Sequence, residues 1–148
     1  MSSAVAFDEI REQAEIPSLK IDFSPARNKD YCELVGEINP LHFDQGYARA
    51  LGYKDIVVAG IFTASLFPKL ITDWLGGQAV IEKMVVKFGV PAYLHDKVTY
   101  RGRVGKKAIE AGSKRLECEV WSENAASEQL ASARIVVSLR SCSRSREI

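Results

Sequence analysis

The chain has 148 residues, 47% of them hydrophobic and 26% charged, with a formal net charge of +1. That length supports one buried core, not two, and the near-neutral balance supplies no field for nucleic acid or for an anionic membrane surface. No apolar run approaches the ~20 residues that span a bilayer, and Cys32, Cys118 and Cys142 lack metal-ligand spacing, which reads as reduced thiols in a cytoplasmic protein.

The opening residues, Met-Ser-Ser-Ala-Val-Ala-Phe-Asp-Glu-Ile, have neither a basic segment nor an apolar core, so no signal peptide is expected. A short helix is predicted around Phe7–Gln13. Ser18 to Phe23 alternates, with Leu19, Ile21 and Phe23 on one side, and predicts a first strand. Ser24-Pro25 supplies an N-cap and a first-turn proline for a helix running through Val35, and Gly36 suits its C′ position. Asp44 is expected to cap a short helix, Gln45 to Leu51, which Gly52 ends. From Gly60 to Leu75 the residues are apolar on nearly every side, which predicts a buried helix, kinked near Ala64 by Pro68 and ended by Gly76-Gly77.

Beyond that helix the period becomes two. Met84, Val86, Phe88 and Val90 share a face, as do Val98, Tyr100 and Val104, then Leu116, Cys118 and Val120, then Ala131 through Leu139 at every second position. The links Pro91–Asp96, Gly105–Gly112 and Glu123–Glu128 are short and turn-rich, so antiparallel pairing is expected. Arg140 to Ile148 is polar and aperiodic; residues 1–140 are expected to form one domain and 141–148 a disordered tail. One apolar helix and a run of one-faced strands make an α+β arrangement, a sheet wrapped around a helix.

The densest chemistry lies in Val35–Asp44, Val-Gly-Glu-Ile-Asn-Pro-Leu-His-Phe-Asp. Glu37 and His42 are out of step with both helix and strand periods, so they converge only if the chain folds back at Asn39-Pro40. A carboxylate and an imidazole held across a turn suit the moving of a proton on and off a small substrate. Asn39 is expected to shape the turn through its side chain, Asp44 to act as a cap, and Thr63 to bond back to its own helical turn. His95 reads as solvent-facing, and Arg101 and Arg103 as part of a solvated sheet face.

The run Tyr31-Cys32-Glu33-Leu34-Val35-Gly36-Glu37-Ile38-Asn39-Pro40-Leu41-His42-Phe43-Asp44 resembles the signature of the MaoC-like, (R)-specific enoyl-CoA hydratase family, whose usual form is Gly-Asp-x-Asn-Pro-x-His-x-Asp. The likeness continues through Ala59-Gly60-Ile61-Phe62-Thr63, Phe88-Gly89-Val90-Pro91-Ala92 and Lys97 to Val104. Glu37 stands where the family has aspartate, and Ala59 where it often has histidine. The resemblance implies a single hot-dog fold and reversible syn addition of water to a trans-2-enoyl thioester, giving the (R)-3-hydroxyacyl product. By position it implies Glu37 and His42 as the catalytic pair and the Gly60 backbone N–H as oxyanion donor, with Asn39, Pro40 and Thr63 shaping the site. It implies a CoA or acyl-carrier-protein thioester as substrate, with no cofactor and no metal.

Two other readings stay open. A hot-dog thioesterase also uses a carboxylate and a helix N-terminus, and a partner-dependent or non-catalytic subunit would fit the substituted acid. An exposed strand edge and apolar surface predict a homodimer, or a heterodimer with a homologue.

Overall fold

The computed structural model of the chain describes residues 5–140. The predicted tail, 141–148, lies outside the described residues. Where the sequence predicts a helix at Phe7–Gln13, only a 3-10 turn forms, Phe7–Glu9, and the chain is already extended by Glu15. Strand β1, Glu15–Asp22, therefore starts earlier than the alternation suggests, with an irregularity between Ile16 and Leu19 that absorbs Pro17.

Helix α1, Pro25–Val35, keeps its predicted ends. The Ser24 hydroxyl accepts from Arg27 N, and Gly36 takes the left-handed conformation, φ 66°. The Glu37 N–H then reaches back to the Cys32 carbonyl at 2.9 Å, which closes the helix and launches the next loop in a fixed direction. Helix α2, Gln45–Ala50, is capped by the Asp44 carboxylate on Tyr47 N, and it ends one residue short of expectation at Leu51.

Helix α3, Gly60–Leu75, is the central helix, but it is not buried all round. Thr63, Ala64, Phe67, Leu70, Ile71 and Leu75 face the core, whereas Ser65, Lys69 and Asp73 face water and Ile61 is 76% exposed. Lys69 and Asp73, one turn apart and ion-paired at 2.8 Å, mark the polar stripe.

Strands β2, Ala79–Phe88, β3, Lys97–Glu110, β4, Ser113–Glu123, and β5, Gln129–Leu139, complete one antiparallel sheet in the order β1-β3-β4-β5-β2. Two expectations are corrected. Gly105–Glu110 is strand rather than link, because those residues continue pairing with Ser113–Glu117, and the Lys107 ammonium caps the carbonyls of Phe7 and Ile10 at 2.8 and 2.7 Å. The Pro91–Asp96 link is not a hairpin: β2 pairs with β5 and β3 with β1, so this segment carries the chain across the mouth of the core.

The inward faces of β3, β4 and β5 are the ones the alternation names, whereas on the face named for β2 Phe88 and Val90 are exposed. Val98, Tyr100, Val104, Leu116, Cys118, Val120, Ile135 and Val137 are buried with Phe67, Leu70 and Ile71 of α3 in one cluster. The Tyr100 hydroxyl, inside that cluster, donates to the Thr63 carbonyl at 2.8 Å and so ties the sheet to the first turn of α3. Fully burying one such aliphatic side chain stabilises by roughly 1.5–3 kcal/mol, so the helix is held in the sheet mainly by this cluster.

Candidate active site

The loop after α1 is built from its own polar groups. Glu37 Oε1 accepts the Asn39 N–H at 2.9 Å, and Asn39 Oδ1 accepts the Leu41 N–H at 3.1 Å, opening a 3-10 turn at Pro40–His42. Asn39 thus shapes the turn as its chemistry predicts, and Pro40 takes the first position of the turn. The Thr63 hydroxyl bonds back to the Gly60 carbonyl at 2.8 Å. His95 is exposed, and Arg101 and Arg103 point outward into ion pairs with Glu123 and Glu119.

His42 is held from two directions. Its Nδ1 lies 2.8 Å from the Val57 carbonyl, and the Val57 N–H donates to the Leu41 carbonyl at 3.2 Å. A carbonyl only accepts, so Nδ1 carries the proton and Nε2 is the free nitrogen. Val57 belongs to the segment that enters α3, and it is itself fixed by Val58 N on the Ala92 carbonyl and Leu94 N on the Ile56 carbonyl. From the other side, the Asn28 side-chain amide donates to the His42 carbonyl at 2.9 Å and the Cys32 thiol approaches the same oxygen at 3.6 Å. Asn28 and Cys32 lie one turn apart on the buried face of α1. The sequence reading missed both anchors. The spacing of Asn28 and Cys32 was a usable signal; the Val57 carbonyl left none.

Burial first, and the Glu37 charge second, push the thiol of Cys32 up; the hydroxyl of Tyr31 is raised by burial, then by Glu37 and by Cys32. Both groups stay protonated at neutral pH, so Cys32 is a donor here rather than a thiolate nucleophile. Tyr31 also stacks on Phe62 at 4.2 Å between ring centroids, which seats α1 on the start of α3.

Gly60 opens α3, so its N–H has no acceptor inside the helix. The Ala59 side chain supplies no cap. A side chain at position 60 would meet the Phe88 ring at 3.1 Å, so glycine permits an aromatic group to lie against the helix end.

Glu37 and His42 lie on the one loop between α1 and α2, Glu37 ahead of the 3-10 turn and His42 at its end, both half-buried, with no ion pair joining them. An open cavity of about 580 Å³ lies beside Glu37, lined among others by Asn28, Cys32, Phe43, Ile56 and Leu94. His42 and Gly60 are not among its lining residues. Among the described residues no cluster of His, Cys, Asp or Glu gathers in a metal-binding arrangement, and no helix is long and apolar enough to cross a membrane.

A five-stranded antiparallel sheet on a central helix is the hot-dog fold, and solved structures agree. A chain of the ChsH1–ChsH2 complex from Mycobacterium tuberculosis superposes with a TM-score of 0.78 at 28% identity, covering 88% of this chain and 98% of that one. The (R)-hydratase from A. caviae involved in PHA biosynthesis gives a TM-score of 0.79 with the same coverages at 22% identity, a likeness of fold. The profile of the MaoC like domain matches residues 7–126, and the protein belongs to that family. Among its relatives, the 3-oxo-4,17-pregnadiene-20-carboxyl-CoA hydratase beta subunit of Mycobacterium tuberculosis is 33% identical over 91 residues, 62% of this chain and 70% of that protein. The (R)-specific enoyl-CoA hydratase of Aeromonas caviae is 31% identical over 78 residues, 52% of this chain and 58% of that protein. A mitochondrial 3-hydroxyacyl-[acyl-carrier-protein] dehydratase of Solanum lycopersicum is 37% identical over 68 residues, but the match spans only 41% of its length.

Proposed function

We propose that the protein adds water reversibly to trans-2-enoyl thioesters of CoA or an acyl-carrier protein, giving (R)-3-hydroxyacyl thioesters. The observation that carries the reading is the Val57 carbonyl on His42 Nδ1, which leaves Nε2 as the one imidazole atom free to exchange a proton. Glu37 spends Oε1 on the Asn39 N–H, which leaves Oε2. Hydration needs two such atoms. One enters the step unprotonated and takes a proton from water as its oxygen bonds to the β-carbon; the other enters protonated and gives that proton to the α-carbon, where the π pair of the double bond ends, and proton exchange with solvent then resets the pair. Between these events charge gathers on the thioester oxygen, and the Gly60 N–H at the positive end of α3 is the donor for it. Membership of a family whose relatives are hydratases and dehydratases supports the same reading.

Crotonyl-CoA tests it. Loss of enoyl absorbance without release of free thiol is the expected result; thiol release instead would establish the thioesterase reading. A second reading, a subunit that turns over only with a partner, is favoured by the surroundings of Gly60. Ile61 is 76% and Phe88 59% exposed, and the cavity at Glu37 does not reach the helix end. On that reading the isolated chain is silent with crotonyl-CoA and gains turnover when a second hot-dog chain covers this rim.

A further inference from the structure

Strand β2 is an edge of the sheet: it pairs with β5 on one side, and its other side is open along Ala79–Phe88. An open edge of that length invites another strand. Beside it the surface is apolar: Phe88 and Ile61 are exposed, and Val90 is also open to solvent. A solvated edge would not carry such a rim, so a second chain is expected to cover it. What distinguishes the possible partners is charge.

The outward-pointing residues of β2 are Lys83, Val85 and Lys87. With Arg134 of β5, the cross-strand neighbour of Val85, they line one open hollow of about 790 Å³ on the outer sheet face. Glu117 and Glu119 also line the hollow; Glu119 is engaged by Arg103 at 2.7 Å. Glu82, on the bulge of β2, is engaged by Arg115 at 3.3 Å. Among the described residues, Lys83, Lys87 and Arg134 have no ion-pair partner within 4.0 Å.

Two copies of β2 meeting antiparallel about a two-fold axis keep outward residues opposite outward residues. An axis through Val85 sets Lys83 directly against Lys87 of the other copy, twice. An axis through Lys83 or Lys87 sets that lysine against itself. An axis through Met84 or Val86 leaves the lysines diagonal to one another. Each of these central registers, the ones that pair most of β2 with its copy, therefore brings ammonium groups together, and like charges facing across strands are destabilising.

We infer that the β2 edge selects a different chain, one whose own edge strand presents carboxylates outward where this one presents Lys83 and Lys87. The inference rests on a second chain covering this rim and does not depend on the reaction assigned to Glu37 and His42.

A charge-reversed copy of the chain is the probe. Sedimentation is run on the wild type, on Lys83→Glu/Lys87→Glu, and on their equimolar mixture, at low and at high salt. The mixture is expected to associate at least tenfold more tightly than either chain alone, and to lose most of that advantage at high salt, where exposed charges are screened. Wild type that self-associates as tightly as the mixture overturns the inference, and so does a mixture that stays monomeric. Circular dichroism of the double variant checks its fold. The neutral pair Lys83→Gln/Lys87→Gln guards against a misfolded reversal: it should self-associate more tightly than wild type, and equal or weaker association again overturns the inference. Neither outcome bears on turnover of crotonyl-CoA, which is assayed separately.

Discussion

The sheet with α3 and the loop from Gly36 to Asp44 are held by different means. The first is fixed by many interchangeable apolar contacts around fully buried Tyr100, Phe67, Leu116 and Ile135. The second is half-exposed and hangs on a few directed bonds: Glu37 to Asn39, His42 to Val57, and Asn28 to His42. In the core, losing one contact is shared among many. In the loop, each bond decides how one candidate side chain or its backbone is placed. Stability and proposed reactivity should therefore respond to different substitutions.

Four measurements probe that separation. His42→Ala should lower kcat/KM for crotonyl-CoA by on the order of 100- to 10,000-fold, the usual worth of a general acid–base group, while loss of the ring's bond to the Val57 carbonyl should cost only about 0.5–1.5 kcal/mol of stability. A variant that hydrates as fast as wild type would remove His42 from the chemistry. Leu116→Ala is the reverse case. It empties a fully buried site on β4 and should cost about 2–5 kcal/mol in denaturant titration, with kcat per folded molecule unchanged. Asn28→Ala lies between the two. It takes the donor from the His42 carbonyl, so unfolding should shift by about 1–3 kcal/mol and kcat should fall by roughly tenfold or more through misplacement of the ring. A fall in stability with no change in kcat would place Asn28 with the core instead.

The smallest effect at neutral pH becomes visible in alkali. Burial pushes the Cys118 thiol up to about 12 from its ordinary 9.0, so the folded state holds that proton more tightly than the unfolded chain does. The associated stability is complete below pH 9 and is lost as pH rises toward 12. Tyr100 is raised by burial as well and works in the same direction. Cys118→Ala should flatten the decline between those limits in equilibrium unfolding. An unchanged slope would show that the thiol does not contribute.

Most of the fold was legible because its signals are local and repeated. Ser24-Pro25 and Gly36 marked the ends of α1, and period-two alternation marked the inward residues of β4 and β5. The extension of β3 past Gly105 was hidden because Lys106, Lys107 and Ala108 do not alternate; pairing with β4 and the Lys107 bonds to Phe7 and Ile10 hold it extended. The exposed face of α3 was misread for a related reason: apolar residues such as Ile61 and Leu66 surround Lys69 and Asp73, so the pattern looks unbroken until a sheet chooses one side. At the site, turn chemistry exposed Asn39-Pro40, and the Ser/Thr rule anticipated the Thr63 bond. The acceptor for His42 could not be found that way. Every residue carries a carbonyl, and only the crossing of Ile56–Val58 beneath the 92–94 segment makes that of Val57 special.

Because the backbone of His42 is moored to α1 through Asn28, whereas its ring takes its bearing from Val57, location and aim of the imidazole are set by separate stretches of polypeptide. Drift in one stretch can turn the ring without displacing it, and drift in the other can displace it without turning it. A lineage could thus reposition this residue by small independent steps, leaving the packed interior untouched.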